Sequence, residues 1–451
     1  MKKLVPVFLT FIVTLLMVSC PIDEGEGDDP FGPVDQNQYT FWAQDTTDDS
    51  DYQITAKNLA VRTYCEVWAD INAGVTEQQA RDLATEFDTR IYQPITNAFG
   101  SYQSINNSNG KLLLLMLDIR DNYGVGGNTG YTAGYFYSRD LTSHAHSNRA
   151  AMLYIDTNPG LNNVSQTYAT VAHELQHIIN LAASVNHRRV GNTVYAMDTW
   201  IDEGLSSAAE HIYGGRQDSR ITWFNRDTYG TIANGNNFYV WGEQPTAILD
   251  EYATDYLFFQ WLRIHGGGIG IYKNIITSPY ADYRAVTAAA ASIDSNWDSL
   301  LGKWLEANYV NAPSGIKGYK GEMKTRVWAV AGSKTLKPGE GVYTISSSAP
   351  TGDTYKKFLL MNKNALSGDL YPPYNGSRVL MYNANVNQTT TITDTLSGTA
   401  ETKPSPLPLL NIQGSFASAE NQPYVIDARD LLGRDAGTGT INIQDLANDR
   451  R

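Results

Sequence analysis

Two histidines and a glutamate in this chain have the spacing of a site that binds a metal ion. They are His173, Glu174 and His177, in the stretch His-Glu-Leu-Gln-His. On a helix, residues four positions apart lie on one face, so both imidazoles can reach a single ion. Glu174 then points beside the ion, where its carboxylate can accept a proton from a bound water. The pattern predicts zinc-assisted hydrolysis.

A catalytic zinc ion usually takes three protein ligands and keeps a fourth position open. The metzincin pattern would place a glycine three residues after His177 and a histidine six residues after it. Asn180 and Ala183 stand at those positions, which excludes that pattern. Glu203, farther along the chain, is the candidate third ligand.

Glu203 lies near the start of a second predicted helix, which runs from Asp198 to Tyr213 with Asp198 or Thr199 as its N-cap. A hairpin of two helices can bring its first turn back over the His-Glu-x-x-His helix. Asp202 and Glu210 are alternative ligands. Asp198 and Asp202 could instead orient a ligand histidine through its second ring nitrogen.

The helix that carries both histidines is predicted to be largely buried. Between Asn163 and Ala183 the apolar residues recur at helical spacing, as Val164, Tyr168, Val171, Leu175, Ile178 and Ile179. Imidazoles and a carboxylate on such a helix are costly unless they are paired or bind a metal. The alternative is an amphipathic helix whose histidines only cap or pack.

The motifs resemble those of known zinc metallopeptidases. Trp-x-x-Glu-Gly-Leu at Trp200–Leu205, after His-Glu-Leu-Gln-His, is similar to the gluzincin clan. His-Glu-Leu-Gln-His-Ile-Ile-Asn together with Trp-Ile-Asp-Glu-Gly-Leu-Ser-Ser-Ala-Ala-Glu more closely resembles the hyicolysin-like family of bacterial secreted metallopeptidases. The similarity covers about Ala150 to Leu262. It implies a zincin fold, a zinc cofactor, Glu203 as third ligand, and protein or peptide substrates.

The same resemblance implies two further roles. Tyr252 matches the position from which gluzincin aminopeptidases donate a hydrogen bond to the oxyanion, and Tyr256, one turn later, is the alternative. Aromatic side chains on that helix could equally be core. The strand that precedes the His-Glu-x-x-His helix, Ala151 to Tyr154, would border the cleft and pair with substrate backbone.

The predicted activity is that of a zinc metalloendopeptidase, in which Glu174 acts first as base and then as acid. An aminopeptidase is one alternative, but the Gly-x-Met-Glu-Asn sequence that usually grips a free amine is absent. A non-catalytic surface lipoprotein, such as an adhesin on a metallopeptidase scaffold, is the other. The presence of every expected catalytic group favours the enzyme.

The start of the chain predicts export. Lys2 and Lys3 precede the apolar run from Leu4 to Val18, which is short for a membrane span. Cys20 ends a segment that resembles a lipoprotein processing site, so lipidation there would anchor the protein to a membrane. We expect an exported bacterial lipoprotein of the cell envelope or outer surface. Plain secretion is the alternative.

Composition divides the rest into segments. The chain carries 34 Lys and Arg against 47 Asp and Glu, and it shows no basic patch, which argues against nucleic-acid binding. After a signal segment at 1–20, residues 21–55 hold no lysine or arginine and predict an acidic disordered tether. An α+β zincin domain is expected at 56–318. Short alternating runs predict a β-sandwich-like accessory domain at 319–451.

Overall fold

The computed structural model describes residues 38–105, 110–128, 130–235, 238–241, 248–348, 356–362, 377–403 and 425–427. The predicted signal segment, including Cys20, lies outside these ranges. Within them, no helix combines the length and the apolar character needed to cross a bilayer.

Strands dominate both ends of the described chain, and helices dominate its middle. The strands are β1 (Gln38–Gln44), β2 (Asp51–Val61), β3 (Cys65–Asp70), β4 (Leu112–Leu117), β5 (Gly134–Phe136), β6 (Met152–Asp156), β7 (Arg189–Val190), β8 (Thr193–Tyr195), β9 (Gly332–Leu336), β10 (Gly341–Ile345), β11 (Lys356–Asn362), β12 (Ser377–Asn383), β13 (Ile392–Leu396) and β14 (Val425–Asp427). The helices are α1 (Glu77–Glu86), α2 (Tyr92–Phe99), α3 (Val164–His187), α4 (Thr199–Gly214), α5 (Asp218–Arg226), α6 (Ile248–His265), α7 (Gly270–Ile276), α8 (Tyr283–Ala289) and α9 (Trp297–Val310).

A six-stranded mixed sheet forms the N-terminal layer, in the order β1-β2-β3-β4-β6-β5. The central pairs β3–β4 and β4–β6 are parallel, and the outer pairs are antiparallel. The predicted tether, 21–55, overlaps this sheet, so the folded part begins earlier than expected. In β1 the aromatic residues alternate, and Tyr39 and Phe41 pack edge-on against Trp68. This spacing of two residues is typical of a strand with one buried face, and here it indicates structure better than the acidic composition indicates disorder.

Strand β4 is a continuous apolar run, and it is buried on both faces. Leu112, Leu114 and Met116 belong to the core cluster shared with the helices. The residues between them face a second cluster that contains Trp68 and Tyr154. Because parallel strands inside a sheet are covered on both sides, a continuous apolar run is what such a strand needs.

Helices α3 and α4 were predicted at nearly these bounds, and together with α6 they form the core of the helical part. Helix α3 packs on α4 and on strands β5 and β6, and α4 packs on α6. Asn163 caps α3 by accepting a hydrogen bond from the Gln166 N–H. Trp200 anchors the first turn of α4 in an aromatic cluster formed by Phe238, Tyr239, Phe258, Phe259 and Trp297.

The contact between α4 and α6 is close at Gly204. A Cβ atom built on Gly204 would lie 2.2 Å from the Phe259 ring and 2.9 Å from Asp255 Oδ1. The glycine of the Glu-Gly-Leu sequence therefore allows the two helices to approach, and it serves packing rather than backbone conformation. This approach brings α6 beside the first turn of α4.

Small antiparallel sheets follow the helices. One has the order β10-β12-β11, and the other pairs β9 with β13. Strand β14 pairs with β8, in the connection between α3 and α4. These elements confirm the predicted fold class, an α+β zincin-type arrangement followed by a β region.

Candidate metal centre

The packing of α3 on α4 brings His173, His177 and Glu203 together in the interior. One ligand atom from each residue lies within 4.8 Å of the other two. Glu203 Oε2 is 3.3 Å from His173 Nε2 and 3.9 Å from His177 Nε2. All three side chains are buried. Two imidazole nitrogens and one carboxylate oxygen are the donor set of the two-histidine, one-glutamate catalytic zinc sites.

The electrostatics of the cluster favour a bound cation. Burial by itself would lower the pKa of His173, but hydrogen bonds to Glu203 and Glu210 raise it to about 10. Burial likewise opposes the charged form of His177, while Asp202 and Glu203 raise its pKa to about 9. Carboxylates thus set a strongly negative potential at both rings, which favours Zn²⁺ as it favours a proton.

A buried chain of contacts supports His173 from behind. Its Nδ1 lies 2.8 Å from Glu210 Oε1, and Arg220 Nη2 lies 2.8 Å from that same oxygen. Burial would raise the pKa of Glu210, but Arg220 and His173 hold it below its ordinary value. Glu210 is therefore an ionised carboxylate that fixes the ring and leaves Nε2 facing Glu203.

His177 is supported from the other side. Asp202 Oδ2 lies 3.1 Å from its Nδ1. Asn180 donates from Nδ2 to Asp202, and the buried guanidinium of Arg188 donates to Asn180 Oδ1 at 2.9 Å. Both histidines thus have a carboxylate on the nitrogen that faces away from the cluster centre, and each carboxylate is tied to an arginine, directly or through an amide.

Glu174 belongs to α3, and its side chain faces strand β5. It is buried, and its carboxylate accepts a hydrogen bond from the backbone N–H of Phe136. Burial raises the pKa of this carboxyl above its ordinary value, partly offset by the two histidines. At Gly134 an added Cβ would lie 2.9 Å from Thr170 and 2.8 Å from the Tyr154 carbonyl oxygen. That glycine lets α3 approach the strand.

Among the described strands, the one at this edge of the sheet is β5, not the predicted Ala151–Tyr154. Strand β6 pairs with β4 on one side and β5 on the other, so its backbone groups are already used. The Asp156 N–H at the end of β6 donates to the carbonyl of Ala133, the residue before β5, and antiparallel pairing alternates from there along β5. Backbone groups of Gly134 and Phe136 therefore point away from β6, and on that side the Phe136 N–H donates to Glu174.

The two tyrosines proposed for the oxyanion role lie in different surroundings. The Tyr252 hydroxyl donates to Glu203 Oε2 at 2.9 Å, and its pKa is raised well above the ordinary value by burial and by Glu203. Tyr256 instead contacts His211 Nδ1 and accepts from the Gln217 N–H. Only Tyr252 adjoins the cluster.

The acidic candidates Asp202, Asp198 and Glu210 also differ in which side chains they contact. Asp202 contacts His177, as one of its predicted roles requires. Asp198 precedes α4 and accepts from Gln388 Nε2 at 3.3 Å, and within the described ranges it contacts neither imidazole. Glu210 is an outer partner of His173 rather than a ligand. Its position seven residues after Glu203, two helical turns on, was the signal available in the sequence. Arg220 had no such signal.

Comparison with known proteins identifies a relative of this chain. No family model matches the chain. Over 221 residues it is 35% identical to the neutral metalloprotease ShpI of Staphylococcus hyicus, covering 47% of this chain and 48% of the relative. The chain thus spans about half the length of the curated relative it matches. This similarity and the buried group of His173, His177 and Glu203 confirm the predicted resemblance to the bacterial zinc metallopeptidases.

Proposed function

We propose that this protein is a zinc metalloendopeptidase that hydrolyses peptide bonds of protein substrates. The observation that carries the proposal is the buried cluster of His173, His177 and Glu203 with Glu174 beside it. A zinc ion held by these three ligands would act as a Lewis acid, lowering the pKa of a water and polarising the scissile carbonyl.

The other groups have complementary tasks. Glu174 would take the proton of the attacking water and later deliver it to the leaving amine. The raised pKa of its carboxyl makes Glu174 a stronger base than an ordinary carboxylate. The open edge of β5 would hold substrate backbone in an extended form, since unpaired strand edges bind peptides by adding a strand. That geometry suits a bond inside a chain and supports endopeptidase action.

Removal of zinc is the direct test. The purified protein should cleave an unfolded protein substrate, lose that activity on dialysis against a chelator, and regain it with one equivalent of Zn²⁺. Metal content and cleavage are measured on the same samples. Zinc binding without cleavage of any unfolded substrate would contradict the proposal and favour a non-catalytic surface protein. Unchanged cleavage by metal-free protein would contradict the metal's role.

Tyr252 is proposed as the oxyanion donor. Its hydroxyl is buried, protonated and 2.9 Å from a ligand oxygen, so it can transfer its hydrogen bond to a neighbouring oxyanion. We expect Tyr252→Phe to lower kcat by about 10²- to 10³-fold, the usual cost of one oxyanion donor, with KM little changed. Steady-state kinetics at saturating zinc measure this.

Tyr256→Phe is the matched control for that variant. It removes a hydroxyl from the same helix, one turn later, but that hydroxyl contacts His211 and Gln217. We expect kcat of this variant to stay within a few fold of wild type. Equal kcat losses in the two variants would contradict the assignment of Tyr252.

We further propose that the protein is held at the bacterial cell envelope by a lipid on Cys20. Support comes from the sequence: two lysines, an apolar run and a cysteine in lipoprotein-like order. Such an anchor would confine the activity to substrates near the envelope surface.

A further inference from the structure

Arg220 contacts two parts of the candidate metal centre at once. Its Nη2 lies 2.8 Å from Glu210 Oε1, and its guanidinium carbon lies 5.0 Å from the centre of the Tyr252 ring. Arg220 belongs to α5, which packs on α6, and its side chain is buried. One residue from a third helix therefore touches both the carboxylate that holds His173 and the tyrosine that bonds Glu203.

The charges around Arg220 explain why a permanent cation is needed there. Glu203 and Glu210 are both buried in this region, and Arg220 holds the pKa of the Glu210 carboxyl below its ordinary value. Buried carboxylates without compensation are costly. A guanidinium stays charged in the interior and offsets this negative charge.

The shape of the guanidinium suits both contacts. Its N–H edge donates to the Glu210 carboxylate, while it lies over the face of the Tyr252 ring. A planar guanidinium can donate along its edge while its carbon lies over an aromatic ring. A lysine ammonium at this place would keep the charge but lacks the planar edge and face of the guanidinium.

We infer that Arg220 is a positioning residue that holds Glu210 against His173 and the Tyr252 ring beside Glu203, so that metal ligand and oxyanion donor keep one relative geometry. The part that acts through Tyr252 rests on the proposed function. The part that acts through Glu210 concerns metal binding alone. The two parts therefore have separate readouts.

Arg220→Gln tests both parts. Competition with a chromogenic chelator should show zinc affinity reduced by up to about 100-fold, the upper cost of losing an outer partner of a ligand histidine, because Arg220 acts on His173 only through Glu210. At saturating zinc, kcat should still fall while KM is unchanged, because the Tyr252 ring has lost its support. Arg220→Lys should recover much of the zinc affinity but little of kcat. It also carries the test if the glutamine variant does not fold.

A double-mutant cycle with Glu210→Gln identifies the route. If Arg220 acts through Glu210, the two losses of zinc affinity are strongly non-additive. Arg216→Gln is the control, because Arg216 is exposed and pairs with Asp218, and its zinc affinity and kcat should match wild type. Additive losses, or wild-type affinity and kcat in both Arg220 variants, would overturn the inference. If the wild type binds zinc but cleaves nothing, the proposed function fails while this cycle still decides the role of Arg220 in metal binding.

Discussion

Glu174→Gln is expected to lower kcat by about 10²- to 10⁴-fold while leaving zinc content at the wild-type level. The amide has the same shape as the carboxylate but cannot accept the proton of the attacking water, and general-base catalysis contributes rates of this order. The proposed zinc ligands His173, His177 and Glu203 are untouched. Cleavage of an unfolded protein by zinc-loaded variant and wild type, with metal analysis of both, measures the effect.

Glu174→Asp is the companion variant, since it keeps the carboxylate but withdraws it by one methylene. Its kcat should lie between those of the wild type and the glutamine variant. Cleavage at the wild-type rate by Glu174→Gln would mean that a contaminant or another group catalyses the reaction. A loss of zinc in that variant would place Glu174 among the ligands.

Glu203→Gln has the second large effect, and it acts on the metal. Changes to outer partners of ligand histidines cost about 10- to 100-fold in affinity. Replacing the charged ligand itself should therefore weaken zinc binding by more than about 100-fold. Because a ligand stabilises the state that binds it, a loss of that size removes about 2.7 kcal/mol of zinc-dependent stability. Chemical denaturation with and without zinc measures this loss.

Glu86→Gln is the matched control for Glu203→Gln. Glu86 also accepts a hydrogen bond from a tyrosine hydroxyl, that of Tyr213 at 2.6 Å, but it lies outside the metal cluster. The control should keep wild-type zinc affinity. Equal zinc affinity in Glu203→Gln and the wild type would exclude Glu203 as third ligand, and Asp202 would then be the next carboxylate to test.

The parts of the site that lie within one helix were predictable from sequence. The spacing of His173 and His177 follows directly from the helical repeat, and the apolar residues of α3 mark the helix that carries them. Glu203 could be predicted as the third ligand because the Trp-x-x-Glu-Gly-Leu motif is similar to that of the gluzincin clan. The predicted ranges of α3 and α4 follow from local signals of this kind, helical spacing and an N-cap.

The groups that come from distant parts of the chain were not predictable. Strand β5 is three residues long and follows a glycine-rich loop, and only its pairing with β6 makes it the edge strand. Arg220 meets Glu210 and Tyr252 through the packing of three helices. Such contacts depend on tertiary structure, and no local pattern encodes them.

The absence of a side chain at Gly204 affects the distance between Tyr252 and Glu203 at the candidate metal centre. The Phe259 ring occupies the space that a methyl group at position 204 would need, so α6 packs closely against α4 at this point. Glu203 precedes that glycine on α4, and Tyr252 lies on α6 two turns before Phe259. The 2.9 Å hydrogen bond from the Tyr252 hydroxyl to Glu203 therefore depends on the close packing of the two helices. A methyl group at position 204 would push the helices apart and lengthen that distance. Gly204 thus maintains the distance between Glu203, the proposed metal ligand, and Tyr252, the proposed oxyanion donor.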